Sequence, residues 1–186
     1  MKNLELAKYI LSESSEKSVL YRLFKAEIDA LHLPDCDLPF PEEWVCFERD
    51  YALYRAHMDK FGIGIPVVDI GCDIGAQSAM FEDIGYTGIE QHQTKHFCDH
   101  GNYIHGTFPT EASVDLREKA VISNMSLGFF KGVTNEVICE ALRDARYLYI
   151  AAPQSLVDML TPYFPHFGYV SPKDATSVFP RMWMGK

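Results

Sequence analysis

Val67-Val68-Asp69-Ile70-Gly71-Cys72-Asp73-Ile74-Gly75 reads as a strand running into a glycine turn. Two β-branched residues lead into an acid, the glycines follow, and Ala76–Phe81 then reads as the start of a helix. A strand, a tight turn and a helix N-terminus in that order aim backbone N–H groups at an anionic ligand group. Glycine suits the turn because a Cβ would block either its conformation or a ligand's approach.

Working outward, the next apolar run is Tyr86-Thr87-Gly88-Ile89, closed by Glu90, which lies 21 residues beyond Asp69. An acid about 20 residues on, at the end of the second strand of a βαβ unit, is placed to bond a ribose hydroxyl pair. From Ile65 onward strand and helix patterns alternate, which predicts a parallel sheet covered on both faces. The expected strands are Pro66–Ile70, Thr87–Glu90, Tyr103–Phe108, Ala120–Asn124, Tyr147–Ala151, Gly168–Val170 and a last one near Val178–Met184. The expected helices are Ala76–Asp83, Gln91–His100, Thr134–Asp144 and Ser155–Phe164, with Thr134 as a cap and Val137, Ile138, Ala141 and Leu142 facing inward. The last two strands are joined by Ser171–Ser177, too short for a helix, so they pair antiparallel.

Asp69-Ile70-Gly71-Cys72-Asp73-Ile74-Gly75 with Tyr86-Thr87-Gly88-Ile89-Glu90 resembles the first two motifs of class I S-adenosylmethionine-dependent methyltransferases. By element order the resemblance covers about two-thirds of the chain. It implies an α/β fold: a Rossmann-like, doubly wound, mostly parallel sheet with a C-terminal antiparallel strand pair and an N-terminal helical extension. It also implies S-adenosylmethionine as cofactor, with its methionine part wrapped by Asp69, Gly71, Cys72, Asp73 and Gly75 and its ribose held by Glu90. The family's middle glycine is replaced by Asp73, whose carboxylate must either turn away from the cofactor or take its amino group. Thr107 after the third strand and Asn124 after the fourth complete the expected cofactor-binding set. Phe108 would stack on the base or sit in the core, and Asn124 would cap its strand or hold an amine by its side-chain carbonyl. The Asn-Pro-Pro-aromatic run of base and glutamine methylation is absent.

Residues 1–61 lack strand alternation. Val19, Leu20, Leu23, Phe24, Ile28 and Leu31 form one helical stripe, with Ser14 or Ser15 as its cap. Prolines 34, 39 and 41 interrupt the chain. Pro41-Glu42-Glu43 then opens a second helix with the stripe Trp44, Phe47, Tyr51, Tyr54, Met58 and Phe61, expected to pack on the sheet. The expected organisation is therefore a helical extension over residues 1–61 and a Rossmann-like domain over residues 62–186.

Composition narrows the function. The chain has 186 residues, 47% of them hydrophobic, and a formal charge of −9. Nucleic acid is disfavoured as a partner, since no basic patch stands out to displace counterions from phosphates. No apolar run approaches the ~20 residues that cross a bilayer, and Met1–Ser15 lacks a signal peptide's apolar block, so a cytoplasmic location is expected. Cys36, Cys46, Cys72, Cys98 and Cys139 are odd in number and scattered, which argues against a disulfide framework or zinc ribbon. His92, His96 and His100 would share a helix face, but they match no named zinc motif, and no metal is expected.

These features favour a methyltransferase, or a cofactor-binding relative, acting on a small-molecule or protein acceptor. No catalytic residue stands out, because methyl transfer asks mainly for placement. The alternative is a non-catalytic interaction module on the same scaffold, with Asp73 as its clue. A nicotinamide-dependent oxidoreductase ranks third, because it would share Glu90 but call for Gly-x-Gly-x-x-Gly.

Overall fold

A computed structural model of the chain describes residues 1–14, 16–31, 45–92, 96–97, 102–130, 132–170, 179 and 181–186. Three helices come first: α1 (Asn3–Ser12), α2 (Val19–Leu31) and α3 (Val45–Lys60). The strands are β1 (Val67–Ile70), β2 (Tyr86–Glu90), β3 (Tyr103–His105), β4 (Ala120–Asn124), β5 (Tyr147–Ala151), β6 (His166–Tyr169) and β7 (Arg181–Gly185). Helix α4 (Asn135–Leu142) joins β4 to β5, and α5 (Gln154–Leu160) follows β5.

The described strands form one seven-stranded sheet in the order β3-β2-β1-β4-β5-β7-β6. β7 runs antiparallel to both β5 and β6, and the other pairs are parallel. The α/β, doubly wound sheet with its antiparallel C-terminal pair is thus as the sequence predicts. The chain winds outward from β1 to β3, then returns to place β4 on the other side of β1. The carboxyl ends of β1 and β4 part at this reversal of strand order, where open α/β sheets hold their ligands.

Strand alternation sorts the core into two layers. Val67, Ala120, Ile122 and Tyr149 face α1, α2 and α3, while Val68, Ile70, Val121, Leu148 and Ile150 face α4 and α5. From α3, Tyr51, Tyr54 and Met58 are buried in the first layer. The Tyr54 ring lies 5.7 Å from that of Tyr149, and His57 Nδ1 is 3.0 Å from the Tyr149 hydroxyl. Phe61, the last residue of the expected stripe, is 57% exposed.

Several local expectations give way to tertiary contacts. The helix expected over 76–83 is a 3-10 turn, Ala76–Met80, buried at every position. With no solvent face there is no amphipathic stripe to propagate, and Gln77 spends its amide on Asp69 Oδ2 (2.7 Å) and the Cys72 carbonyl (2.9 Å). Gln91, His92, His96 and Phe97 are not helical, contrary to the expected helix 91–100. His96 instead stacks between the rings of Tyr86 and Tyr103, and the Phe97 N–H donates to the Ile74 carbonyl at 2.6 Å. Residues 93–95 and 98–100 of that stretch, His100 among them, lie outside the described residues.

β3 stops at His105 because Gly106 turns the chain at φ 144°. Helix α2 is capped by Ser18 and not by Ser14, Ser15 lying outside the described residues: Ser18 Oγ accepts from the Tyr21 N–H at 3.0 Å. The helix then bends at Phe24, whose φ of −120° departs from the helical value. The buried Glu48 carboxylate accepts the N–H groups of Val19 (2.8 Å) and Leu20 (2.9 Å), so α3 supplies the anion that the α2 N-terminus favours. Thr134 sits at the N-cap of α4 without a side-chain cap bond, and Val137 is 41% exposed rather than inward. The helix start expected at Pro41, with Trp44, lies outside the described residues, and so does the Ser171–Ser177 connection.

Candidate active site

The acid that opens the glycine turn is fully buried. Asp69 accepts from the hydroxyls of Tyr86 (2.6 Å) and Tyr51 (3.2 Å) and from Gln77 Nε2 (2.7 Å). Burial pushes its carboxyl up to about 7 against those three bonds. Asp69 therefore fastens α3, β2 and the turn to one another, and it does not line the pocket beside it.

The turn rises from Gly71 (φ 77°) through Asp73 (φ 52°) to Gly75 (φ 75°). A Cβ at Gly71 would fall 2.0 Å from Ser126 Oγ, and one at Gly75 would fall 2.0 Å from His96 Nε2. Ser126 donates to the Gly71 carbonyl at 3.2 Å, drawing the β4 crest onto the β1 crest. Asp73 keeps a left-handed backbone that costs a side-chain-bearing residue about 1–2 kcal/mol. Burial, then the nearby Glu90 charge, pushes its carboxyl up to about 7, and its Oδ1 is buried with no partner among the described residues.

Glu90 ends β2 at 6% exposure. Its Oε2 accepts the Asp73 N–H at 2.9 Å, and its Oε1 accepts the His92 N–H at 3.0 Å. Each oxygen keeps a second lone pair. Asp69, Gly71, Cys72, Asp73, Gly75 and Glu90 are thus brought to one crest.

A pocket opens beside this crest, with about 660 Å³ of empty space when the open solvent at its mouth is included. Leu20, Phe47, Glu48 and Tyr51 roof it from α2 and α3. Gly71, Cys72, Asp73 and Gln77 line it from the turn, and Asn124 and Ser126 from the end of β4. Asn124 Nδ2 donates to Asp50 Oδ2 at 3.2 Å, and Asp50 Oδ1 pairs with Arg181 Nε at 2.5 Å. Burial raises the Asp50 carboxyl, and the Arg181 guanidinium opposes the rise.

Thr107 and Phe108 lie elsewhere. Phe108 is 1% exposed among Val68, Ile70 and Ile89, a core residue. The Thr107 N–H donates to Glu111 Oε2 at 3.0 Å, and Thr107 does not line the pocket. Cys72 is buried, and desolvation followed by the Asp69 charge pushes its thiol well up, which denies it a nucleophile's role. Among the described residues no three His, Cys, Asp or Glu side chains converge as metal ligands, and no helix is long and apolar enough to cross a membrane. Sequence reasoning missed Tyr51, Gln77 and Asp50 as site residues. Tyr51 reads as one more core aromatic, and nothing in spacing ties Gln77 to Asp69 or Asp50 to Asn124.

No protein-family model matches the chain, and no curated protein matches its sequence. Solved structures match its shape. EvdMO1 is 14% identical over 92% of this chain with a TM-score of 0.57, and the chain spans about half of it, 49%. A putative RNA methyltransferase from Pyrococcus horikoshii is 12% identical, covering 100% of this chain and 98% of that one, with a TM-score of 0.50. The magnesium protoporphyrin IX methyltransferase of Synechocystis PCC 6803, solved with bound SAH, is 13% identical over 96% of each chain, with a TM-score of 0.51. The chain therefore has the Rossmann-like fold of S-adenosylmethionine-dependent methyltransferases.

Proposed function

We propose that this chain binds S-adenosylmethionine across the carboxyl ends of β1 and β2 and is a methyltransferase, or a cofactor-binding relative of one. The observation that carries the reading is the crest itself. An acid, two left-handed glycines and a second acid 21 residues on stand at the reversal of strand order, beside a roofed pocket.

The residues present fit the group. The cofactor's amino group is a cation, and the turn offers a buried carboxylate oxygen of Asp73 with no partner among the described residues. Gly71, Cys72 and Gly75 shape the turn on which the methionine part would lie, and Glu90 has lone pairs for the ribose hydroxyls. Thr107, two residues beyond β3, does not line the pocket and is left out of the proposed set. When bound, the cofactor supplies a methyl group on a sulfonium, an electrophile with its leaving group built in. The protein's own task is then to hold an acceptor in line and to keep water out, which the α2–α3 roof does.

Glu90 tests this reading. Glu90→Ala removes the ribose contacts and also leaves the Asp73 and His92 N–H groups unpaired, whereas Glu90→Gln keeps an acceptor oxygen. Both are expected to weaken S-adenosylmethionine binding in calorimetry, the alanine form by at least ~1.5–3 kcal/mol and the glutamine form by less. Unchanged affinity in the folded alanine variant would remove Glu90 from the site.

The interaction-module reading shares the fold and differs in leaving the pocket without cofactor. An acceptor of small-molecule or protein kind, in a cytoplasmic setting, goes with the proposal, and the −9 charge weighs against a nucleic-acid acceptor.

A further inference from the structure

The pocket beside the crest carries two acids, Glu48 and Asp73, and no Lys, Arg or His among its described lining residues. A second cavity, at the other end of the sheet, reverses that chemistry. Gly185 of β7 pairs there with Tyr147 and His166, the first residues of β5 and β6, so the cavity stands at the amino ends of those strands. It has about 530 Å³ of empty space, open solvent at its mouth included. His57, Phe61, Tyr147 and Trp183 form an aromatic floor, and His166 and Lys186 stand in the wall. None of its described lining residues is Asp or Glu.

The floor is flat and open. The Phe61 and Trp183 rings lie 24° from parallel with centroids 6.2 Å apart, and the His57 ring is 4.5 Å from one and 5.3 Å from the other. Two glycines give these rings their room. A Cβ at Gly168 would come within 3.0 Å of Trp183 Nε1, and one at Gly185 within 3.0 Å of the Tyr147 ring. Phe61 is left exposed.

The polar groups around the floor favour an anion. Burial holds the Tyr149 hydroxyl in its protonated form, and its one hydrogen-bond partner among the described residues is His57 Nδ1. A buried hydroxyl proton without an acceptor is costly, so Tyr149 donates to Nδ1. Burial, then the Lys60 charge, keep the imidazole neutral, and its own proton therefore sits on Nε2. No described residue accepts from that Nε2–H. Lys60 Nζ lies 5.5 Å from the Phe61 ring centroid and adds a cation beside the floor. Aromatic floors also suit quaternary ammonium ions, but here such an ion would meet cations with no carboxylate to offset them.

We propose that this cavity is a second ligand site and that it takes a planar aromatic carboxylate. The ligand's ring lies against Phe61 and Trp183, and its carboxylate accepts from His57 Nε2–H with Lys60 beside it. The site is separate from the crest of β1 and β2, so it does not rest on the methyltransferase reading.

Calorimetric titration of the full chain with matched probes decides it: 2-naphthoate, 2-naphthylmethylammonium and the saturated, non-planar decalin-2-carboxylate. Naphthoate is expected to bind at least tenfold tighter than the ammonium, and tighter than the saturated acid, which carries the charge but no π-face. Phe61→Ala changes an exposed side chain and should weaken naphthoate at least fivefold. Lys60→Glu, also on the surface, should bring naphthoate to within threefold of the ammonium. Saturating S-adenosylmethionine should leave naphthoate affinity within twofold, whether or not the cofactor binds. Equal binding of naphthoate and the ammonium to the unmodified chain overturns the proposal, and so does naphthoate binding that Phe61→Ala leaves unchanged. Displacement of naphthoate by S-adenosylmethionine overturns it as well, by placing the acid at the crest. It also falls if naphthoate does not bind and sedimentation shows a dimer that Phe61→Ala dissociates, since the floor would then be covered by a second copy of the chain.

Discussion

Deleting residues 1–61 is expected to abolish cooperative folding rather than release a smaller stable domain. The deletion strips Tyr51, Tyr54 and Met58 from the layer that covers Val67, Ala120, Ile122 and Tyr149, along with Leu6, Ile10 and Ile28 behind them. Each large side chain removed from such a layer withdraws about 1.5–3 kcal/mol of burial. Six of them amount to about 9–18 kcal/mol, as much as the ~5–15 kcal/mol by which a whole domain is ordinarily stable. Asp69 would also lose Tyr51, one of its three donors. The expected product is insoluble, or lacks a near-ultraviolet circular dichroism signal and a sharp thermal transition. A soluble fragment with an intact transition would show that the helices cover the sheet without holding it.

Asp73→Gly is expected to separate stability from binding. Glycine takes φ 52° without strain, and the change removes a buried, unpartnered oxygen beside the Glu90 charge. Against this stands the extra freedom of glycine in the unfolded chain, ~0.5–1 kcal/mol. A net gain of about 1 kcal/mol, or roughly 2–4 °C in Tm, should follow. Affinity for S-adenosylmethionine should fall at the same time by ~1.5–3 kcal/mol, the worth of a charged hydrogen bond.

The same residue shapes the response to pH. Asp69 and Asp73 are both pushed up to about 7 by burial, above the ordinary unfolded carboxyl value. The unfolded chain therefore releases these protons first. The stability they contribute is complete below about pH 4 and is lost as pH rises to about 7. Cofactor affinity should move the opposite way, rising towards pH 7 and above as Asp73 ionises to meet a cation. In Asp73→Gly both slopes should be shallower. A glycine variant that binds the cofactor more tightly would show that Asp73 obstructs the site.

The sheet was legible because its strands carry their own signal. Val67-Val68, Ala120–Ile122 and Tyr147–Ala151 are continuous apolar runs, and a run buried on both faces reads the same in any context. The Asp69-to-Glu90 spacing was legible for a related reason: one crossover fixes where the second acid must stand. The helix over 76–83, and that over 91–100 at its described residues 91, 92, 96 and 97, were misread because side-chain contacts that sequence periodicity does not contain hold Gln77 and His96. His96 inserts between two tyrosine rings, and Gln77 turns inward to a buried carboxylate. The roof and the Arg181–Asp50–Asn124 chain were invisible for a similar reason. The bonded partners in that chain lie 74 and 131 positions apart in sequence and meet only because α3, β4 and β7 converge at one corner.

The central claim is that the crest of β1 and β2 holds S-adenosylmethionine, and calorimetric titration of the whole chain with S-adenosylmethionine, S-adenosylhomocysteine and NAD tests it most directly. The account predicts saturable binding of the first two and none of NAD, with the pocket's acid-lined wall favouring the cationic sulfonium over the neutral thioether. Silence from all three would contradict it in favour of an interaction module, and binding of NAD alone would contradict it in favour of an oxidoreductase.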